Sequence, residues 1–176
     1  MGNLQLTSFV FPPGGEIPRE CGYKHANRSP LLTISGIPKG TKSLALIMDD
    51  PDAMNVVVDG KKPYSKPYVH WVFCNFDPTP FYNKHGKYNA EIAEEFSQPI
   101  YKFLTGKEDL MVGITDFGKW EYCGPAPPDK IHTYVFKLYA LDSKLDLLNE
   151  FTKADLEKAM EGHIIEQATL TGTYAP

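Results

Sequence analysis

Residues 43–52 read SLALIMDDPD: after Ser43 an apolar run, Leu44–Met48, then three carboxylates and a proline in the last four positions. A half-exposed strand alternates apolar and polar residues, whereas an unbroken apolar run bounded by turn residues belongs to a strand buried on both faces. Ser43–Asp49 is therefore expected in the middle of a sheet, with Asp49-Asp50-Pro51-Asp52 as the turn that ends it. Working outward, YVHWVFCN (68–75) and HTYVFKLYALD (132–142) are rich in β-branched and aromatic residues and read as two more strong strands. Period 2 puts Tyr68, His70, Val72 and Cys74 on one face of the first, opposite Val69, Trp71 and Phe73. In the second, it puts His132, Tyr134, Phe136 and Leu138 on one face.

Weaker signals fill the remainder. Leu31–Ser35 reads as a strand closed by the glycines and proline of residues 36–40, and Ala168–Tyr174 (ATLTGTY) as a last strand. Thr152 followed three residues later by Asp155 is a capping pattern. The spacing of Leu156, Met160, Ile164 and Gln167 extends a helix from there to about Gln167, despite Gly162. Residues 1–30 are turn-rich and predict only short extended pieces. Residues 53–67, with Asp59-Gly60, read as a long connection that includes a hairpin excursion. Between 76 and 131 periodicity fades; a short helix is expected at Glu91–Phe96, together with short strands that the pattern does not place.

With 176 residues the chain is expected to form one domain, 1–176, large enough for its own core. Its 14 glycines and 15 prolines, about one residue in six against an average near 12%, favour a loop-rich, mostly β protein. A net charge of −4 gives no general attraction to nucleic acid or anionic lipid. The N-terminus MGNLQLTSFVF has no basic segment followed by an apolar run, and Leu44–Met48 is far too short to span a bilayer. A cytoplasmic protein without stable membrane insertion, either monomer or homodimer, is the expectation. Cys21, Cys74 and Cys123 match no zinc or redox spacing and are expected as free thiols.

Three clusters carry chemistry. Asp50 and Asp52 flank Pro51 at a strand end, where such carboxylates either cap local amides or face a ligand. His70 lies within a strand, where a structural histidine bonded to a backbone carbonyl is the alternative to a functional one. Cys123-Gly124-Pro125-Ala126-Pro127-Pro128 fixes a rigid path into His132 and Tyr134, whose side chains leave the same face about 7 Å apart at ~3.3 Å of rise per residue. There Gly124 would allow a ligand close to the main chain. Histidine pairs at metal-binding spacing are absent, as are a nucleophile elbow, a phosphate-binding loop and a dinucleotide fingerprint. No metal or cofactor is expected.

Taken in order, SPLLTISGIPKGTKSLALIMDDPDA (29–53), VHWVFCNF (69–76), TDFG (115–118), YCGPAPP (122–128), HTYVFKLYALD (132–142) and AMEGHIIEQATLTGTY (159–174) span nearly the whole chain. They resemble the phosphatidylethanolamine-binding protein family, in particular its bacterial and archaeal Raf kinase inhibitor-like branch. The resemblance implies a mostly β fold with a few helices, in which a large central antiparallel sheet packs against a smaller one and a C-terminal helix lies at the margin. It also implies a small anion pocket carried by Asp50, Asp52, His70, His132 and Tyr134, with Gly124 and Pro125 lining its mouth. The chain departs from the family pattern in three ways: Met54 replaces a common proline, Thr133 a common arginine, and Asp129-Lys130-Ile131 stands where a glycine usually precedes the pocket histidine.

Two carboxylates beside an anion repel it by roughly 4 kcal/mol per unit-charge pair at about 4 Å and an effective dielectric near 20. The expected remedy is that Asp50 and Asp52 accept hydrogen bonds from loop amides and from His70 or His132. That would hold one imidazole charged while its other nitrogen donates to the anion, with Tyr134 and main-chain amides completing the shell. The functional expectation is a binding module for phosphate or a phosphorylated headgroup or side chain. A regulatory role towards a kinase or protease is what the family name suggests. The alternative is a hydrolase or isomerase using the same histidines and carboxylates as acid and base.

Overall fold

The computed structural model describes residues 4–78, 89–92 and 109–176. Ser43–Asp50 (β3) is the middle strand of a five-stranded sheet, and all eight of its residues are buried, as its unbroken apolar run requires. Tyr68–Phe76 (β4) flanks it on one side, followed by the short Met111–Val112 (β6). His132–Leu141 (β7) flanks it on the other, followed by Ile164–Tyr174 (β8), and every pairing is antiparallel. A second antiparallel sheet holds Gln5–Ser8 (β1), Leu32–Ser35 (β2) and Asn89–Ile92 (β5) in the order β1-β2-β5. Because β3 runs antiparallel to both neighbours, its last residues lie between the first residues of β4 and β7. Asp50, Tyr68, His70, His132 and Tyr134 are thereby gathered at one end of the sheet.

The two faces of the large sheet are covered differently. On one, Leu44, Leu46, Met48, Trp71, Phe73 and Phe136 meet Leu6, Leu32, Ile34 and Ile92 of the small sheet, forming the main core. On the other, Ala45, Ile47, Val72 and Cys74 lie beneath Phe151, Leu156 and Met160, the last two belonging to or ending the helix Lys153–Ala159 (α1). Asp49 also faces this second side. It is buried, and its Oδ2 accepts from Lys137 Nζ at 3.0 Å and Lys153 Nζ at 2.5 Å, so a sheet carboxylate is tied to the first turn of α1.

The structure departs from the sequence reading in three places. The capping box forms, with the Thr152 hydroxyl accepting from the Asp155 amide and the Asp155 carboxylate accepting from the Thr152 amide. The helix, however, stops at Ala159. Gly162 takes φ +79, which breaks the helical path, and Ile164–Tyr174 pairs with β7 along its whole length. Ile164, assigned by spacing to a buried helical stripe, is 45% exposed on the strand instead. Glu91 and Ile92, expected in a short helix, end β5, while residues 93–96 lie outside the described residues. In β4 strict alternation fails: Met48 pairs with Trp71 but Asp49 with Val69, leaving His70 as an extra, bulged residue. Val69 consequently joins the Val72 side of the sheet. The hairpin excursion is present as Val58 paired with Lys61 around Asp59 and Gly60, both at positive φ, the geometry that suits Asp-Gly in a two-residue turn.

Removing Asp49 leaves two lysine heads against an apolar sheet face. Breaking a buried ion pair by deleting one partner costs about 3–5 kcal/mol; because both lysines keep some solvent, the Asp49→Ala variant is expected near the lower figure. Urea denaturation checks this, and a loss below about 1 kcal/mol would contradict the assigned role.

Candidate functional site

Asp50 ends β3 and caps the 3-10 turn Pro51–Asn55 that follows. Its Oδ1 accepts from the amides of Asp52 (2.9 Å) and Ala53 (3.2 Å), so the local capping role anticipated for an Asp-Pro-Asp is real. Its Oδ2 faces His132 Nδ1 at 2.6 Å, and both side chains are almost wholly buried. The second nitrogen of the same ring, Nε2, lies 2.9 Å from Asp129 Oδ1. A carboxylate oxygen on each nitrogen is matched by a ring that donates from both. The N–H···O bonds from His132 and from the Lys130 amide outweigh desolvation and hold the Asp129 carboxyl below the usual carboxylate range.

His70 is held in another way. Its Nδ1 lies 2.7 Å from the Cys123 carbonyl and 3.1 Å from that of Gly124, which makes Nδ1 the protonated nitrogen. The bulge exposes the Val69 amide, and Asp116 Oδ2 accepts from it at 2.8 Å. Phe117, next in sequence, packs edge-on to the imidazole at 5.3 Å between centroids, as does Tyr134 at 5.1 Å. Burial pushes the His70 pKa below its ordinary value, against the opposing pull of the two carbonyls and of the Asp50 and Asp116 charges. The neutral ring therefore offers Nε2 as an acceptor.

These groups surround a cavity of about 140 Å³ whose lining includes Asp50, His70, His132 and Tyr134, with Tyr64, Tyr68 and Phe117 as an aromatic wall. One ordered water needs roughly 10–15 Å³ on this scale and drug-sized ligands occupy roughly 300–1,000 Å³, so the space suits a compact polar group. The Tyr134 hydroxyl accepts from the Ala126 amide at 3.3 Å, leaving its proton to donate. Burial and the nearby Asp50 charge raise the Tyr134 pKa, which keeps the phenol protonated.

Of the seven residues expected from sequence, Asp50, His70, His132 and Tyr134 line this cavity and three do not. Asp52 turns to β7, where its Oδ2 accepts from the Thr133 main-chain amide at 2.8 Å. Gly124 lies behind the wall. A Cβ there would stand 1.9 Å from the Cys21 carbonyl oxygen, so close chain packing rather than ligand access requires glycine. Pro125 faces a separate hollow beside Lys24, His25 and Tyr174. The expected division of labour between the histidines also changes: His70 bonds to carbonyls rather than to either aspartate, and both His132 nitrogens are occupied. Cys123 acts through its carbonyl, while its thiol is buried, shifted upward mainly by that burial, and 3.6 Å from the Thr115 hydroxyl.

The sequence alone assigned no site role to Asp129, Tyr68, Phe117 or Asn27. The last accepts from the Gly124 amide at 2.8 Å and so fixes the segment that holds His70. Phe117 and Asp116 sit in the TDFG stretch, whose turn character gave no hint of a wall. Among the described residues no group of three or more His, Cys, Asp or Glu side chains is arranged to hold a metal ion, and no helix is long and apolar enough to cross a membrane.

Comparison with known proteins sets this site in context. The sequence pattern of the phosphatidylethanolamine-binding protein family matches residues 7–175. A protein of Chlamydia muridarum named UPF0098 protein is 38% identical over 173 residues, spanning 97% of this chain and 98% of its own length. A crystal structure of a phosphatidylethanolamine-binding protein homologue from Chlamydia trachomatis superposes with a TM-score of 0.75 at 34% identity, covering 99% of this chain and 98% of that one. Escherichia coli YbcL, described as a member of the mammalian PEBP family, superposes with a TM-score of 0.78 at 28% identity and 97% coverage of both chains.

Burying His70 as a neutral ring has a thermodynamic consequence. Its unfolded pKa is near 6.5 and its folded value lies lower, so below about pH 6.5 the unfolded chain binds the extra proton. This contribution to stability is intact above that pH and is lost as pH falls towards the folded value, at no more than about 1.4 kcal/mol per pH unit. Denaturation curves at pH 7.5, 6.5 and 5.5 should show the decline, and His70→Asn, which retains a donor for the two carbonyls, should flatten it. An equal slope in both proteins would contradict the burial of a neutral His70.

Proposed function

This chain belongs to the phosphatidylethanolamine-binding protein family, and on that premise we propose that its cavity binds a small phosphate-type anion that still carries a proton. Free phosphate keeps such a proton at neutral pH, whereas a phosphate monoester keeps one only below its second pKa of about 6 and a headgroup diester has none. The reading rests on His70. With Nδ1–H committed to the Cys123 and Gly124 carbonyls, Nε2 accepts a hydrogen bond at neutral pH, while the Tyr134 hydroxyl donates. A phosphate oxygen bearing hydrogen satisfies the first and a bare oxygen the second. The space, about ten times the minimum for one ordered water, fits such a group.

The chemistry separates phosphate from sulfate. Sulfate has no proton to give at these pH values, so it binds only when His70 itself becomes a donor. Above the lowered pKa of His70, that population falls by up to about tenfold per pH unit. Calorimetric titrations between pH 5.5 and 8 are expected to show sulfate affinity dropping steadily as pH rises. Inorganic phosphate, which keeps at least one proton throughout this range, should hold its affinity. Tyr134→Phe should weaken both anions by about tenfold, the size of a hydrogen bond to a charged group. Sulfate affinity unchanged across the range, or His70→Asn binding phosphate as tightly as the parent protein, would sink this reading.

A further inference from the structure

The cavity's donors and acceptors, counted one by one, leave one group in an unexpected place. Both oxygens of Asp50 are committed, Oδ1 to the amides of the 3-10 turn and Oδ2 to His132. His70 presents an acceptor and Tyr134 a hydroxyl donor. Besides the hydroxyls of Tyr64 and of Tyr68, the latter donating to the Asp116 carbonyl at 2.9 Å, the remaining side-chain donor is His132 Nε2–H, from a residue only 1% exposed, and it is taken by Asp129 Oδ1 at 2.9 Å. Asp129 comes from a short exposed stretch, residues 128–131, beside the lining residue Pro128. Its side chain is 39% exposed. Asp129 is not itself one of the lining residues, so its carboxylate sits at the cavity's edge, on the charged donor for which an anion in the cavity would compete, and rotation about two side-chain bonds would release it into solvent without disturbing the core.

We propose that Asp129 is an internal competitor for the anion: its carboxylate occupies the His132 donor and sets the selectivity of the cavity against multiply charged anions. This rests on the cavity being an anion site. An anion that keeps to His70 and Tyr134 tolerates Asp129 and meets one extra negative charge. One that also needs His132 must displace it. The penalty grows with the charge of the ligand, because repulsion scales with the product of charges. Asp129 therefore acts on selectivity as well as on affinity, and a role confined to holding the loop would not do so.

The test uses the full chain and calorimetric titration with inorganic phosphate and with bicarbonate, a singly charged anion that also carries a proton, at pH 7, for the parent protein, Asp129→Asn and Asp129→Ala. Asn keeps the shape and loses the charge; Ala removes both. Phosphate affinity is expected to rise by about 10- to 100-fold in each variant, the range for one hydrogen bond to a charged group, with a smaller gain for bicarbonate. In the parent protein, saturating phosphate should also shift the His132 Nε2 resonance in nitrogen-15 spectra, a readout that does not depend on the variants folding. Parent-level phosphate affinity in both variants, or equal gains for the two anions, would overturn the competitor role while leaving the anion site standing. Saturation without movement of Nε2 would do the same. Phosphate binding by none of the three proteins would remove both the competitor and the site.

Discussion

An ionised carboxylate inside a protein is tolerable only when its charge and its lone pairs are answered, since the desolvation cost of a bare buried ion is several kcal/mol. Asp50 meets that condition with two amides on one oxygen and the His132 ring on the other, and the site is organised around how it does so. The amides fold Pro51–Asn55 into a 3-10 turn, which brings Ala53 and Val56 to the cavity wall. The His132 bond fixes the first residue of β7, and with it the outward direction of Tyr134 two residues on. Losing either partner would leave an unpaired charge at the end of the most buried strand.

The two histidines serve opposite electrostatic ends, and the difference comes from their partners rather than their depth. Both are nearly inaccessible to solvent. His132 has a carboxylate on each nitrogen, so a proton on each is matched by charge. His70 has two neutral carbonyls on one nitrogen and aromatic rings around it, which favours the uncharged form. With both His132 nitrogens held by carboxylates, the cavity offers a ligand the His70 acceptor beside the Tyr134 hydroxyl donor.

Much of this was legible in the sequence, for reasons that can be stated residue by residue. The central position of β3 follows from its apolar run. That Asp50, His70, His132 and Tyr134 share a pocket was implied by the family resemblance rather than by strand periodicity. What was not legible depends on contacts made across the chain. The bulge at His70 is a register slip between β3 and β4, stabilised by Asp116 forty-odd positions away, and no periodicity records it. The end of α1 was masked because Ile164 continues the helical spacing; pairing with β7 decides the matter, and Gly162 permits the turn. Asp129 reads as an ordinary loop residue until the fold sets it against His132. Gly124 was noticed correctly and explained wrongly, since a backbone, not a ligand, comes close to it.

The Asp49-Asp50 pair shows why this end of the sheet could hold a site at all. Adjacent residues on a strand point to opposite faces, so the two carboxylates leave β3 in opposite directions. Asp49 goes to Lys137 and Lys153 and pins α1 to the back of the sheet, while Asp50 goes to His132 and the 3-10 turn at the front. Each charge is neutralised by its own partners, and the sheet between them keeps the two apart. A one-residue slip of β3 would exchange the faces, placing Asp50 against the apolar side of α1 and Asp49 in the cavity, with neither matched to its partners. The register of the central strand is thus specified by two ionic contacts of opposite direction as well as by the apolar pattern. That double specification is what lets β4 carry a bulge at His70 while β3 stays in place.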